Sequence, residues 1–177
     1  MIIIRQYCDN DLSHVARIHA EAFPRQGRSE EWVQCNARAY PRMRYYVSES
    51  NGEITGYILW VEKSGFRAQV VLELEQIAVK AEFQSQGIGA ALIETSLNEA
   101  SSNIVSRGAI LGTVLVTTRS DNQAQRLYRK VLGAEVAAIV LSLFSGDEVL
   151  MIARDPLRSK PAVQGTLRDK AAQHLLP

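Results

Sequence analysis

Residues 82–95 read EFQSQGIGAALIET, with Gly87 and Gly89 two apart where an amphipathic helix begins. Glycine weakens a helix by about 1 kcal/mol relative to alanine, so the pair needs a reason. A helix N-terminus presents unpaired N–H groups and partial positive charge. Glycines there let the backbone come close to a phosphate. Glycine is also what a crowded contact between helix and sheet requires, and spacing alone leaves both readings open. The run is not a P-loop, because the Gly-Lys-Ser/Thr ending is missing. Nor is it GxGxxG, because the flanking positions are Gln84 and Leu92.

Working outward, AQVVLELEQIAV (68–79) is a strand that ends just before this helix. After Gly87, the residues Ala90, Ile93, Leu97, Ala100 and Ile104 recur at three- and four-residue steps, which predicts one buried helix face. AILGTVLVTT (109–118) follows as an apolar strand expected to lie centrally with both faces covered. DNQAQRLYRKVLG reads as a helix closed by Gly133. AEVAAIVLSLF and EVLMIAR are strands around the turn SGDE.

Towards the N-terminus, IIIRQY (2–7) is a strand, and Asp9, Asn10 or Asp11 caps a helix to about Phe23. Its stripe is Leu12, Val15, Ala16 and His19, with Ala20 and Phe23 beyond. PRQGRS (24–29) is a loop, and Ser29 with Glu30 and Glu31 opens a second helix to about Tyr40. RYYVSES and EITGYILWVEK form a hairpin across Asn51-Gly52. The predicted order is β-α-α-β-β-β-α-β-α-β-β, an α/β or α+β chain with a mixed sheet and helices on both faces. Residues 1–155 are expected to form one domain. Residues 156–177 read as a C-terminal extension in which TLRDKAAQHLL forms a short helix.

The 177 residues are 46% apolar and 22% charged, with a net charge of +1. That composition fits a globular chain and carries no field that announces nucleic acid or an anionic membrane. Only Met1 and three isoleucines precede Arg5, too few for a signal-peptide core, and no run is long enough to span a bilayer. Cys8 and Cys35 have no CxxC spacing and read as reduced thiols of a cytoplasmic protein. His14, His19 and His174 show no ligand spacing, and no metal site is expected.

The segment IAVKAEFQSQGIGAALIE resembles motif A of the GCN5-related N-acetyltransferases (GNAT), whose pattern is [QR]-x-x-G-x-[GA] after a strand often reading I-A-V. Gln84, Gly87 and Gly89 match the pattern, and Ile77, Ala78 and Val79 match the strand end. IIIRQYCDNDLSHVARIHAEAFP resembles the family's first strand and helix. RSDNQAQRLYRKVLGAEV resembles its late N-x-x-A-x-x-L-Y-x-x-x-G-F element. The resemblance covers about residues 2–154 and implies a mostly antiparallel sheet of about seven strands in a GNAT-like acyl-CoA fold. It also implies acetyl-CoA as co-substrate. Backbone N–H groups of Gln84, Ser85, Gln86, Gly87, Ile88, Gly89 and Ala90 would hold its pyrophosphate. The backbone of Ile77, Ala78 and Val79 would pair with the pantetheine arm, in a V where strands 68–79 and 109–118 splay apart.

Acetyl transfer needs a neutral amine, a stabilised carbonyl oxygen and a proton for the leaving thiolate. Glu73 and Glu75 are the candidate bases. They lie two apart on one strand, and regular alternation puts them on one face with Val71, Ile77 and Val79. The resemblance places a base at one of the two, with Glu73 slightly ahead of Glu75. A bulge near Gln76 would alter which one reaches the cleft. A locally wet sheet face is the other explanation for the pair. Tyr128 matches the Tyr of the L-Y element and is implied as the acid. It also fits a plain helix stripe with Ala124, Leu127 and Val131. The family's Asn position is Asp121 here, one residue before Asn122, and the motif's G-F is Gly133-Ala134. Asn122 is therefore expected to reach the pantetheine arm through a shifted helix start, or else that contact is changed.

Family habit puts the acceptor between the 24–31 loop and the last hairpin. Glu30, Glu31, Asp147 and Glu148 there could attract a cation, and Arg25 and Arg28 could hold a carboxylate. All six could equally be solvated loop charges. The bacterial ribosomal-protein enzymes of the family keep a Glu where this chain has Val116 or Thr117. The expected acceptor is a primary amine of a small molecule. A protein or peptide amine, or a non-catalytic acyl-CoA-binding module, is the alternative. No nucleic-acid or membrane partner is expected, and a homodimer is implied only by family habit.

Overall fold

The computed structural model describes residues 1–157. Strand β1 (Ile2–Gln6) leads through a 3-10 turn (Asp9–Asp11) into α1 (Leu12–Ala22), and α2 (Ser29–Ala37) follows. Strands β2 (Met43–Ser50), β3 (Glu53–Glu62) and β4 (Gln69–Val79) come next. Then α3 (Ile88–Ser106), β5 (Ile110–Arg119), α4 (Gln125–Leu132), β6 (Glu135–Val140) and β7 (Glu148–Arg154) complete the described chain. The single seven-stranded sheet has the order β1-β2-β3-β4-β5-β7-β6. Only the β4–β5 pair is parallel, and α3 makes the crossover it requires. This is the mixed, mostly antiparallel architecture expected from the sequence. The expected helix at 166–176, with His174, lies outside the described residues.

Local chemistry explains the turns. Asn51 (φ 51°) and Gly52 (φ 80°) both take positive φ, as a two-residue hairpin between β2 and β3 demands. Gly133 (φ 67°) ends α4 in the left-handed conformation. Ser142 (φ 51°) breaks the strand that the sequence extends to Phe144, and its N–H donates to Asp147 Oδ1 at 3.0 Å. Strand β6 therefore stops at Val140.

The sheet separates two cores. On one face, α3 and α4 cover Trp60, Leu72, Leu74, Val114, Val116 and Met151. On the other, α1 and α2 cover Tyr57, Leu59 and Val61, with Val15, Ile18 and Val33 from the helices. Ile18 belongs to the α1 stripe although the sequence reading passes over it. In α3 the fully buried positions begin at Ile88 and Leu92, with Ala90 only half-buried, so the stripe lies one step from the expected start. Arg107, which caps the C-terminus of α3, pairs with the buried Glu62 of β3 and lies over the Phe66 ring.

Strand β5 is not covered equally on both faces. Val114 and Val116 are buried under α3, while Leu111, Thr113, Leu115 and Thr117 are half-buried. The reason is the placement of α1 on β3 and β4 and of α2 on β2, short of β5. At the far edge all six residues of β6 are exposed, and Leu141 and Phe144 of the next loop are 73% and 76% exposed. No described helix is long and apolar enough to cross a membrane.

Trp60 is fully buried, and its indole N–H donates to Ser96 Oγ at 2.7 Å, tying β3 to α3. Trp60→Phe removes that bond and leaves a void. Unfolding in urea is expected to show a loss of about 1–3 kcal/mol.

Candidate functional site

The sheet opens at one residue. Strand β3 pairs Leu59 with Gln76 but Trp60 with Leu74, so Glu75 is an extra residue, a β-bulge in β4. On the other side, the β4–β5 ladder runs from Gln69/Ile110 to Leu74/Val116 and stops. Both strands continue, β4 to Val79 and β5 to Arg119. The splay predicted from the family resemblance is therefore present, and it begins at the bulge. Beyond it Ile77, Ala78 and Val79 keep their pairing with β3 and have none with β5. The main chain on that side is open to an extended ligand except at Val79 O, which accepts from the Gln84 side chain.

The bulge also corrects the expected alternation. Val71 and Glu73 face the α1–α2 side, since Glu73 lies opposite Val61 of that core. Past Glu75 the parity resets. Gln76 and Ala78 then share that side, while Ile77 and Val79 pack on the α3 core. The five residues assigned to one face by strict alternation are thus split between two.

Chain beyond β4 turns sharply. Gln84 Nε2 donates to Val79 O at 2.9 Å and ties the turn to the strand end. Ser85 (φ 60°) and Gly87 (φ 82°) both take positive φ. Gly87 is the N-cap of α3, with no side-chain cap and no acidic residue in the first turn. The first helical bond is Ala91 N–H to Gly87 O, so the amides of Ile88, Gly89 and Ala90 have no helical acceptor. Gln84 to Gly87 are exposed. The two glycines do different jobs. Gly87 needs its conformation, and a Cβ there would meet nothing within 4 Å; a Cβ on Gly89 would come to 3.1 Å from Leu127 Cδ2 of α4. The crowding reading holds for Gly89, with the crowding coming from a helix rather than the sheet, and Gly87 is required by its positive φ.

The carboxylates differ in company. Glu73 is engaged at both oxygens, by Lys63 Nζ at 2.7 Å and by the Thr117 hydroxyl at 3.2 Å. Glu75 is exposed and has no ion pair or hydrogen bond among the described residues. Its carboxyl is still pushed up, first by partial desolvation against the sheet and then by Glu73, against Lys63 and Arg42. Tyr128 is 4% exposed in the α3 core, and burial pushes its phenol up to about 12. It is both a stripe residue and a protonated phenol.

Asp121 is committed to Arg119, with contacts of 2.7 and 2.9 Å. Asn122 donates to Thr118 Oγ1 at 2.7 Å and accepts from Ala124 N–H at 2.9 Å, so it shapes the start of α4. That start falls at Gln125. Of the expected acceptor-side charges, Arg28 pairs with Glu31, and Glu148 is 6% exposed at the start of β7. The described residues contain no cluster of three or more His, Cys, Asp or Glu side chains suited to a metal. Cys8 and Cys35 are free and exposed.

One constellation was not visible in the sequence. His19, fully buried in α1, lies 2.9 Å from Ser29 Oγ through Nδ1 and 3.0 Å from Gln26 Oε1 through Nε2. Gln76 Oε1 accepts from Tyr57 Oη at 3.2 Å and Trp32 Nε1 at 3.4 Å. Gln76 Nε2 lies 3.4 Å from Gln26 Oε1 and 3.3 Å from His19 Nε2. One assignment satisfies every member: His19 carries its proton on Nε2 and donates to Gln26, Ser29 donates to Nδ1, and Gln76 donates to Gln26. Only the position of His19 on the α1 stripe hinted at this.

A family model described as "Acetyltransferase (GNAT) family" matches residues 12–134, more than half of the chain. No curated protein sequence matches the chain. Among solved structures, Arabidopsis thaliana NAA60 in complex with acetyl-CoA has a TM-score of 0.72 at 18% identity, covering 88% of this chain and 99% of that one. The ribosomal-protein-S18-alanine N-acetyltransferase from Escherichia coli has a TM-score of 0.63 at 24% identity, covering 87% and 94%. An aminoglycoside 6'-N-acetyltransferase complexed with coenzyme A has a TM-score of 0.68 at 17% identity, covering 86% and 96%. At these identities the likeness is one of fold.

Desolvation holds the His19 pKa below the ordinary value of about 6.5. The folded state therefore binds a proton less readily than the unfolded chain. The stability contributed by neutral His19 is complete above about pH 6.5 and is lost as pH falls through the lower folded value. Chemical denaturation across that range should show stability rising with pH, and His19→Asn should flatten the slope.

Proposed function

The chain belongs to the acetyltransferase (GNAT) family and is an acetyltransferase that uses acetyl-CoA, and on that premise we propose that it moves the acetyl group directly to a primary amine of a small molecule. The observation that carries the reading is the opening of the sheet at Glu75, which leads along free main chain at Ile77–Val79 to the uncapped start of α3. In this proposal the amides from Gln84 to Ala90 hold the pyrophosphate. The turn offers donors and helix-dipole charge, with no acidic residue in the first turn of α3 to oppose the phosphates. The main chain of Ile77, Ala78 and Val79 holds the pantetheine arm as an added strand would. Asn122, already bonded twice within the chain, shapes the wall on the α4 side.

Glu75 is the better base of the two carboxylates. Its oxygens are free and its proton affinity is raised, whereas Glu73 is held by Lys63 and Thr117. Glu75 takes the proton that leaves the ammonium. The neutral nitrogen then forms a bond to the thioester carbonyl carbon, the carbon–sulfur bond breaks, and the electron pair leaves on sulfur. Tyr128 donates a hydrogen bond to that sulfur. With its phenol near 12 and an ordinary thiol near 8.5, complete transfer runs uphill by about 3–4 pH units. Its role is therefore to stabilise the leaving thiolate, which collects its proton from the amine or from water. Glu75 favours a cationic amine, since Lys63 already neutralises Glu73, and Arg28 and Glu31 neutralise one another.

An amine panel run beside N-terminal peptides tests the acceptor class. Activity on peptides alone would replace small amines with a protein amine. Gly87→Glu places bulk and charge in the turn, and calorimetry should show coenzyme A affinity falling tenfold or more, about 1.4 kcal/mol per decade. Tyr128→Phe should lower kcat more than it raises KM for acetyl-CoA. Glu75→Gln should lower kcat/KM by about 10²–10⁴ and remove its acidic limb, where protonation of the raised carboxyl stops the reaction. Glu73→Gln should cost far less. A wild-type pH profile in the Glu75 variant would remove it from the chemistry.

A further inference from the structure

Gln76 is 6% exposed, and it follows the bulged Glu75 directly. Its amide joins three elements beyond its own strand: β3 through Tyr57, α2 through Trp32, and the α1–α2 connection through Gln26. That connection has little else to fix it. Residues 24–28 are all exposed, and Arg28 (φ 57°), the N-cap of α2, makes no side-chain cap. Polar bonds to Gln76 and His19 therefore decide where the loop and the first turn of α2 sit. A buried amide of this kind has strong directional preference, because an unmatched donor or acceptor there costs about 1–3 kcal/mol.

Resting on the reading of Glu75 as the base, we infer that Gln76 is a positioning residue for the amine acceptor: it holds Trp32 and the 24–28 loop beside the Glu75 end of β4, so that the exposed Trp32 ring forms one wall of the acceptor site. Trp32 is 38% exposed, and its single polar atom is tethered to the residue next to Glu75. An aromatic face next to the unpaired Glu75 carboxylate fits a primary ammonium on an apolar or aromatic stem. That carboxylate draws the charge, and the indole covers the stem and adds cation–π attraction. Wild-type enzyme should thus prefer phenethylamine to ethanolamine.

Gln76→Met keeps the volume and removes the amide. In steady-state assays it should raise KM for phenethylamine about tenfold. Calorimetric affinity for coenzyme A should stay within about twofold, and the preference over ethanolamine should shrink. Hydrogen exchange in residues 24–32 should speed up about tenfold at the same time. A folded Gln76→Met enzyme with unchanged KM and unchanged exchange overturns the inference. A general loss of stability would instead weaken coenzyme A binding and both amines alike, and that outcome also overturns it. Should Gln76→Met fail to fold, Trp32→Phe keeps an aromatic ring and removes the tether. It should raise the same KM about threefold or more, and no change would count against the inference. If the wild-type protein acetylates no amine, the proposed acceptor class fails, while the exchange measurement still decides whether Gln76 holds the loop.

Discussion

The bulge at Glu75 is the constraint on which the rest of the site depends. Strand pleating has a period of two, so one inserted residue exchanges the faces of everything after it. Here that exchange does four things together. It parts β4 from β5 after Leu74, and it frees the main chain of Ile77, Ala78 and Val79 on the β5 side. Glu75 is left unpaired in the ladder, with a free carboxyl. Gln76 turns into the network that joins α1 and α2. No substitution elsewhere on β4 would do all four, since each depends on the register.

The sheet then works as a partition. Helices α3 and α4 and their apolar core supply the turn at Gly87 and the phenol of Tyr128. Helices α1 and α2 with the smaller core supply His19, Gln26, Ser29 and Trp32. The two layers meet across β4. The energetics of the layers differ as well. The α3 side rests on large apolar side chains, with Trp60–Ser96 as one polar pin. The α1–α2 side also rests on a buried polar network in which each member needs its partner, and such networks fix geometry more than they add stability.

Much of the fold was legible in the sequence, because it rests on local rules. Asn51-Gly52 set the hairpin, Gly133 ended α4, and the run from Gln84 to Ala90 set the entry to α3. The crossing point was legible only as an alternative, a bulge near Gln76. A bulge depends on the opposing strand, so alternation put Glu73, Glu75 and Ile77 on one face. Likewise the apolar run of β5 gave no hint that α1 and α2 stop short of it. His19 and Gln76 lie 57 positions apart, and nothing in either neighbourhood marks the other. The preference for Glu73 over Glu75 rested on motif position. We favour Glu75 because Lys63 and Thr117 engage Glu73, and the Thr117 contact is long-range.

Strand β6 has a bearing on how the molecule behaves in a crowded solution. From Val136 to Gly146 the chain carries no charge, and its strand portion is an open sheet edge with both faces exposed. Such a segment is a template for further strands during synthesis and refolding. Its guards are Glu135 at one end and Asp147 at the other, with Ser142 bending the chain out of extended form between them. Their placement suits them to act as gatekeepers against edge-to-edge pairing.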